Sequence, residues 1–323
     1  MNVIISFVGL EDHQEILKSR RPFALQPLAG STILGHILER LQNVPVQSII
    51  VVVNAGARQV DEWAQQLLPE GLLQVVTAEN VDTPITALGS CGQFLNTEPA
   101  LFVSGDFIVE VDYAGLASSG ADVVCLIQDG QEIIPAENWS VDNNGFYTGL
   151  IGDTEVSWAG ACWARHGKDL LAAITSFSTG GGTGVGALLS FLNDQGLQIA
   201  TQQADTCLGT GSPGQLLHAN ARLMQLGYCS KDAIERSYAE EFTVLPPVFL
   251  HETAVIDNAV IGPFVNLETG AVVRDSVVSN SLIGNGAQVT DTVLDGSFIG
   301  DHAQVSGRKQ VVIVGDESQL KLD

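Results

Sequence analysis

A repeat in the last quarter of the chain restricts its fold more than any other feature. Phe249, Val255, Ile261, Leu267 and Val273 fall six residues apart, with small or turn-forming residues such as Thr253, Asn258, Gly262 and Gly270 between them. From Val273 the apolar positions run through Val278, Ile283, Val289, Leu294, Ile299 and Val305 in steps of five, five and six, so the pattern returns every sixteen residues. Asp275-Ser276-Val277-Val278 and Asp291-Thr292-Val293-Leu294 are one unit repeated, as are Ile283-Gly284 and Ile299-Gly300. One apolar residue per five or six describes a β-solenoid with three faces to a coil, each coil burying its inner face only by stacking on the next. A meander of hairpins would show period-two alternation instead. The solenoid is expected from about Val248 to Val305, ending near Val311–Gly315.

The first two hundred residues follow a different rule. Val3–Val8, Ile49–Val53, Leu73–Thr77, Ala100–Val103 and Val123–Ile127 are short, continuous apolar runs, and Ile33–Leu41, Ala57–Leu68 and Thr86–Leu95 between them have helical spacing. Strands without alternation, separated by helices, predict a mostly parallel α/β sheet covered on both faces. Ligands of such sheets sit at the carboxyl ends of the strands, which singles out Val8–His13 and Gly105–Phe107. Tyr228–Glu241 is polar and reads as a connecting helix that Pro246-Pro247 ends. The predicted organisation is an α/β domain over 1–226, a connection over 227–247 and the solenoid over 248–323.

Charge removes several classes of function. The chain has 37 acidic and 14 basic residues, a net charge of −23 with histidine neutral. A body this acidic repels nucleic-acid backbones and anionic lipid, so neither is an expected partner. Five widely spaced cysteines (Cys91, Cys125, Cys162, Cys207, Cys229) contain no CxxC and read as reduced thiols rather than a disulfide framework or zinc site. Met1–Leu10 lacks the basic flank of a signal peptide, and no apolar run reaches the ~18 residues of a membrane span. A soluble, cytoplasmic protein is expected.

Four segments carry a family resemblance. Arg21-Pro22-Phe23-Ala24-Leu25-Gln26-Pro27-Leu28-Ala29-Gly30, the helix Ile33–Leu41 that follows it, Ser104-Gly105-Asp106 and Gly211-Ser212-Pro213-Gly214-Gln215-Leu216-Leu217-His218-Ala219-Asn220 occur in that order. They resemble the RPKALLPVAG, NGD and GTPEDLLEAN segments of sugar-1-phosphate nucleotidyltransferases with hexapeptide-repeat tails. The mannose-1-phosphate guanylyltransferases and glucose-1-phosphate nucleotidyltransferases are the nearest types. The resemblance implies a Rossmann-like nucleotidyltransferase domain with a mostly parallel sheet, followed by a left-handed parallel β-helix. It also implies a reaction in which a sugar 1-phosphate attacks the α-phosphorus of an NTP and releases pyrophosphate. Mg2+ is the cofactor implied for an active enzyme. A nucleotide, nucleotide sugar or sugar phosphate is the implied ligand, and a homo-oligomer through the C-terminal domain the implied assembly.

The same resemblance assigns the site residues and marks where this chain departs. Gly9, Leu10, Lys18, Arg21, Thr83, Thr86 and Gly105 fall at nucleotide-binding positions, and Trp158 and Gly160 in the part that forms the sugar pocket. Asp106 is the metal-binding and catalytic carboxylate, but its partner position holds Gly209. His13 stands where the family has a phosphate-polarising arginine, and is otherwise a surface-loop histidine. Glu11 replaces a glycine of the phosphate loop and Asp12 stands beside it. At ~4 Å and an effective dielectric near 20, each such charge opposes a phosphate by on the order of 4 kcal/mol. Phe23 replaces a lysine, Thr83-Pro84-Ile85-Thr86 lacks the glycines of the base-reading turn, and the lysine that grips the sugar phosphate has no counterpart between Gly145 and Gly160. The sequence therefore leaves two readings: a transferase with impaired or atypical catalysis, or a non-catalytic relative that senses nucleotide sugars or acts through assembly.

Overall fold

The computed structural model describes residues 1–9, 20–54, 56–78, 83, 87–95, 98–113, 115–129, 137–142, 145–182, 184–240 and 242–307, the side chains of 89–90, 129, 137–140 and 150–157 excepted. Leu10, Glu11, Asp12, His13, Lys18, Thr86 and the predicted solenoid end near 311–315 lie outside these residues. The chain divides into two compact units, Met1–Ala219 and Asn220–Asp323.

The first unit is built on strands β1 (Asn2–Ser6), β2 (Ser48–Val53), β3 (Leu73–Thr77), β4 (Ala100–Ser104), β5 (Phe107–Glu110), β6 (Val123–Asp129), β7 (Glu137–Val141), β8 (Tyr147–Ala164), β9 (Ile199–Gln203) and β10 (Thr206–Gly209). Its helices are α1 (Ile33–Arg40), α2 (Ala57–Ala64), α3 (Gly167–Thr179) and α4 (Val185–Asp194). The main sheet runs β9-β6-β8-β4-β1-β2-β3, with β7 paired to β8. The pairs β1–β2, β1–β4, β2–β3 and β6–β9 are parallel, and β8 runs antiparallel to β4 and β6. β1 and β4 are fully buried along their length, as their unbroken apolar character predicts. The strand order reverses between β1 and β4, which places a ligand crevice at their carboxyl ends. On one face of the sheet Ile4, Ile50, Phe102 and Cys125 pack with Leu170 and Ile174 of α3 and Leu188 and Leu189 of α4.

The helix predicted over Thr86–Leu95 is instead a 3-10 segment, Leu88–Phe94. Gly89 and Gly92 in its interior withdraw the backbone preference that an α-helix needs. The glycine-rich run before α4 is a connection between two helices, with Gly184 at φ 86 immediately before the first turn.

α1 begins at Thr32, whose hydroxyl accepts the Gly35 N–H at 3.0 Å. His36 in this helix is fully buried, and its Nε2–H donates to the Leu28 carbonyl at 2.8 Å. Burial lowers its pKa to about 4, so the ring is neutral in the folded protein. The unfolded chain takes up this proton near pH 6.5, and between that value and about 4 it binds more protons than the folded chain. Stability is therefore fully present above pH 6.5 and lost as pH falls toward 4, by up to about 3 kcal/mol at ~1.4 kcal/mol per pH unit. His36→Gln should flatten the part of the acid limb that lies between pH 6.5 and 4.5, read as urea midpoints. An unchanged slope would remove His36 from the account.

The second unit carries α5 (Pro213–Gln225), which begins before the division, α6 (Ala233–Ala239) and a three-sided parallel β-helix. Its first sheet stacks Thr243–Val244, Val260–Ile261, Val277–Ser279 and Val293–Asp295. The second stacks Phe249–Leu250, Asn266–Leu267, Leu282–Ile283 and Phe298–Ile299, and the third Val255–Asp257, Val272–Arg274, Gln288–Thr290 and Gln304–Ser306. Three flat sheets of two- and three-residue strands fit a left-handed β-helix. Leu250 pairs with Leu267, seventeen residues on, and Leu267 with Ile283, sixteen on. The inward column starts Leu250, Ile256, Ile261, so Phe249 and Val255 are one residue out of the phase predicted for them. Phe249 is half-buried and Val255 is 44% exposed. The step from Ile256 to Ile261 is five, and a one-residue slip turns a side chain to the other face.

At the corners Asn258, Asp275, Asn280 and Asp291 adopt positive φ, which short polar side chains tolerate best. Ser276 and Ser281 turn their hydroxyls to the coil above, accepting Thr292 N–H at 3.2 Å and Ser297 N–H at 3.1 Å. On the outer face Val260, Val277 and Val293 form one column, with Val293 75% exposed.

Candidate functional site

The site is assembled where β1 and β4 end side by side. Ser6 and Ser104 are register partners, and Gly105 N–H donates to Ser6 O at 2.7 Å. Beyond β1 the chain turns at Gly9 with φ 78. Gly105 lies under the Phe7 ring so closely that a Cβ there would overlap it. Phe7 in turn meets Phe23, with ring centroids 6.4 Å apart and planes tilted 60°. Phe23, at the position of the family's lysine, is only 5% exposed and opens a 3-10 turn rather than facing solvent. Arg21 serves the same turn, donating Nη1–H to Leu25 O at 3.4 Å while its carbonyl accepts Gln26 Nε2–H at 3.1 Å.

Asp106 follows Gly105, and its Oδ1 accepts the Ser104 hydroxyl at 2.5 Å. Its backbone carbonyl accepts Thr210 N–H at 2.8 Å, and Gly209 of β10 pairs with Phe107 of β5. Residues 209 and 210 thus stand across from Asp106, where the resemblance implies a second carboxylate. Among the described residues, no three His, Cys, Asp or Glu side chains gather as metal donors. Asp106 opposite Gly209 does not fit a Mg2+ ion held between two carboxylates. Cys207, two residues earlier on β10, has its thiol pushed up to about 12 by burial and then by the Asp106 charge. Thr210 is fully buried, and its hydroxyl has no hydrogen-bond partner among the described residues.

Phe107 joins Asp106 to the predicted sugar side. Its ring lies 6.1 Å from that of Trp158, and it packs directly on Gly160, which sits at φ 78 inside an irregularity of β8 between Trp158 and Cys162. Trp158 is half-buried against the core, with its Nε1–H on Ala161 O at 3.3 Å, and Trp163 is core at 2% exposure. Gly105, Asp106, Trp158 and Gly160 are thus brought together through Phe7 and Phe107, with Gly9 at the neighbouring strand end. Thr83 is half-buried and its carbonyl accepts the Ala87 N–H at 3.0 Å. Sequence reading placed Ser104 in the NGD-like segment and Phe107 at a strand end without giving either a role, and it missed Cys207 and Thr210, which no sequence signal marks.

Comparison with known proteins bears on the fold and the family of the chain. The bifunctional protein GlmU of Stutzerimonas stutzeri is 24% identical over 300 residues, covering 83% of this chain and 64% of that protein. The chain thus spans just under two thirds of that relative's length. GlmU of Alkaliphilus metalliredigens is 37% identical over 67 residues, 21% of this chain and 14% of that protein. A Bacillus anthracis protein assigned as a glucose-1-phosphate thymidylyltransferase, solved in complex with sucrose, superposes with a TM-score of 0.57 at 13% identity. That match covers 68% of this chain and 94% of the other. HddC from Yersinia pseudotuberculosis superposes with a TM-score of 0.54 at 15% identity, over 69% and 99%. These likenesses establish the shared fold. Residues 19–207, more than half of the sequence, match the MobA-like NTP transferase domain, and the chain belongs to that family.

Proposed function

We propose that this chain binds a nucleotide sugar, or its nucleotide or sugar-phosphate part, at the carboxyl ends of β1 and β4, and that it transfers nucleotidyl groups feebly or not at all. The observation that carries the reading is the pairing of Asp106 with Gly209 and Thr210 instead of a second carboxylate. Nucleotidyl transfer must bring two polyanions together, and their repulsion is overcome by cations placed where charge develops. Here one carboxylate remains, the lysine position is a buried phenylalanine, and the chain as a whole carries −23.

Binding makes smaller demands. Gly9 turns the chain at the strand end with φ 78, and the half-buried Trp158 offers aromatic surface beside Gly160. The Ser104 hydroxyl holds the Asp106 carboxylate in one orientation, where it accepts from hydroxyl groups of a sugar and repels phosphate. The name of one structural neighbour, a glucose-1-phosphate thymidylyltransferase, supports a sugar-phosphate ligand class.

The test is a pyrophosphate-release assay with each NTP, a panel of sugar 1-phosphates and Mg2+, run beside calorimetric titration with nucleotide sugars. Release at background level together with saturable heat for a nucleotide sugar is expected. Pyrophosphate release that scales with protein and disappears in Asp106→Ala would replace this reading by an active transferase.

A further inference from the structure

Cys125 of β6 and Cys162 of β8 are 37 positions apart in sequence and directly opposed on antiparallel strands. Both are free thiols, and their sulfur atoms lie 2.8 Å apart. Opposed residues of an antiparallel pair have Cα atoms about 4.5 or 5.5 Å apart, and both values lie inside the ~4.4–6.8 Å that a disulfide spans. The strands need no shift to accept a bond, since the two sulfurs are within about 1 Å of bonding distance. Cys207 turns its thiol to the Ala159 carbonyl at 3.8 Å, and Cys91 is closed into the core.

We propose that Cys125 and Cys162 form an oxidation site, at which hydrogen peroxide converts the facing thiols into a cross-strand disulfide. Cys162 is partly exposed and lines a cavity of about 70 Å³ shared with Ser104 and Trp158, whereas Cys125 is fully buried. Peroxide therefore meets Cys162 first. The Cys162 sulfur attacks one peroxide oxygen, the O–O bond breaks, and the departing hydroxide takes the thiol proton as water, leaving a sulfenic acid. The Cys125 sulfur then attacks the Cys162 sulfur, the S–O bond breaks, and the second hydroxide leaves as water with the Cys125 proton. Two thiols and one peroxide yield one disulfide and two waters. The hydrogen bond to Cys162 and burial both hold the Cys125 thiol in its protonated form, which keeps it from reacting with peroxide before Cys162 does.

The bond ties β6 to β8 at the foot of the irregularity that carries Gly160 and Trp158. Oxidation thus fixes one wall of the candidate site, and it takes place whether or not that site holds a nucleotide sugar.

The protein is reduced, freed of reductant, exposed to graded hydrogen peroxide, denatured, alkylated with iodoacetamide and weighed by mass spectrometry. Alkylation should fall from five thiols to three, peptide mapping should join Cys125 to Cys162, and dithiothreitol should restore all five. Cys162→Ser should show four alkylated thiols before and after peroxide. Five alkylated thiols in the oxidised wild type, linkage of any other pair, or Cys162 carried to sulfinic acid beside a still-alkylatable Cys125 would each overturn the proposal.

Discussion

Gly160→Ala should cost about 4 kcal/mol of folding stability, and the candidate site should be lost with it. Two independent terms add at this position. The backbone sits at φ 78, where a Cβ costs ~1–2 kcal/mol. That Cβ would also lie 2.5 Å from Phe107 Cβ and Cγ, a ring 2% exposed with no room to retreat, and such overpacking costs ~1–3 kcal/mol. Gly196→Ala separates the two terms, because Gly196 has φ 85 and nothing within 4 Å of its would-be Cβ. It should lose only the backbone part, about 1 kcal/mol. Urea midpoints of the two variants decide the matter. Equal losses would mean that Phe107 does not pack tightly on the irregular stretch of β8, and that Asp106 is not held in place by it.

What could be read from the sequence follows from how local each signal is. Each coil of the β-helix places a buried residue on every face, so its period was visible in the spacing of Val, Ile and Leu alone. Its phase was not visible at the start, because corners that take five or six residues differ by one, and that residue moved the inward position from Val255 to Ile256. The α/β sheet announced itself through unbroken apolar strands, and the Gly105-Asp106 end of β4 through its place after one. Strand order carried no such mark. Cys125 and Cys162 therefore read as unrelated thiols until β8 was found between β4 and β6. Gly209 could be matched to a missing carboxylate by its place before the Gly211–Asn220 segment. Its closeness to Asp106 depends on the β5–β10 pairing, in which Phe107 meets Gly209 from about a hundred residues away. Thr210 is an ordinary residue type whose place against Asp106 arises only from that pairing, whereas Ser104 bonds Asp106 from two residues away.

Phe23→Lys puts back the residue type of the RPKALLP-like segment, and it should destabilise the protein by about 5 kcal/mol or more instead of building a phosphate grip. The motif alone makes position 23 a missing cation. The structure makes it part of the core beneath the site, with Phe23 5% exposed, its ring against Phe7, and Phe7 covering Gly105. Removing a buried phenylalanine ring costs ~3–5 kcal/mol before any charge is considered. An ammonium group in its place must be desolvated, which pulls its pKa below the ~10.4 of a free lysine. Between the lowered value and ~10.4 the unfolded chain binds more protons, so the variant should regain part of its stability as pH rises from neutral towards 10. Phe23→Leu keeps the site apolar and should lose only about 1.5 kcal/mol, with no such pH dependence. Denaturant midpoints of both variants at pH 7 and pH 9.5, with NTP titrations beside them, separate the two accounts. A lysine variant as stable as the leucine one, and binding NTP more tightly than wild type, would show that position 23 faces the ligand. A lysine variant that is unstable at pH 7 and recovers at pH 9.5 would mean that position 23 belongs to the hydrophobic core beneath the candidate site, where a cation is buried rather than offered to a phosphate.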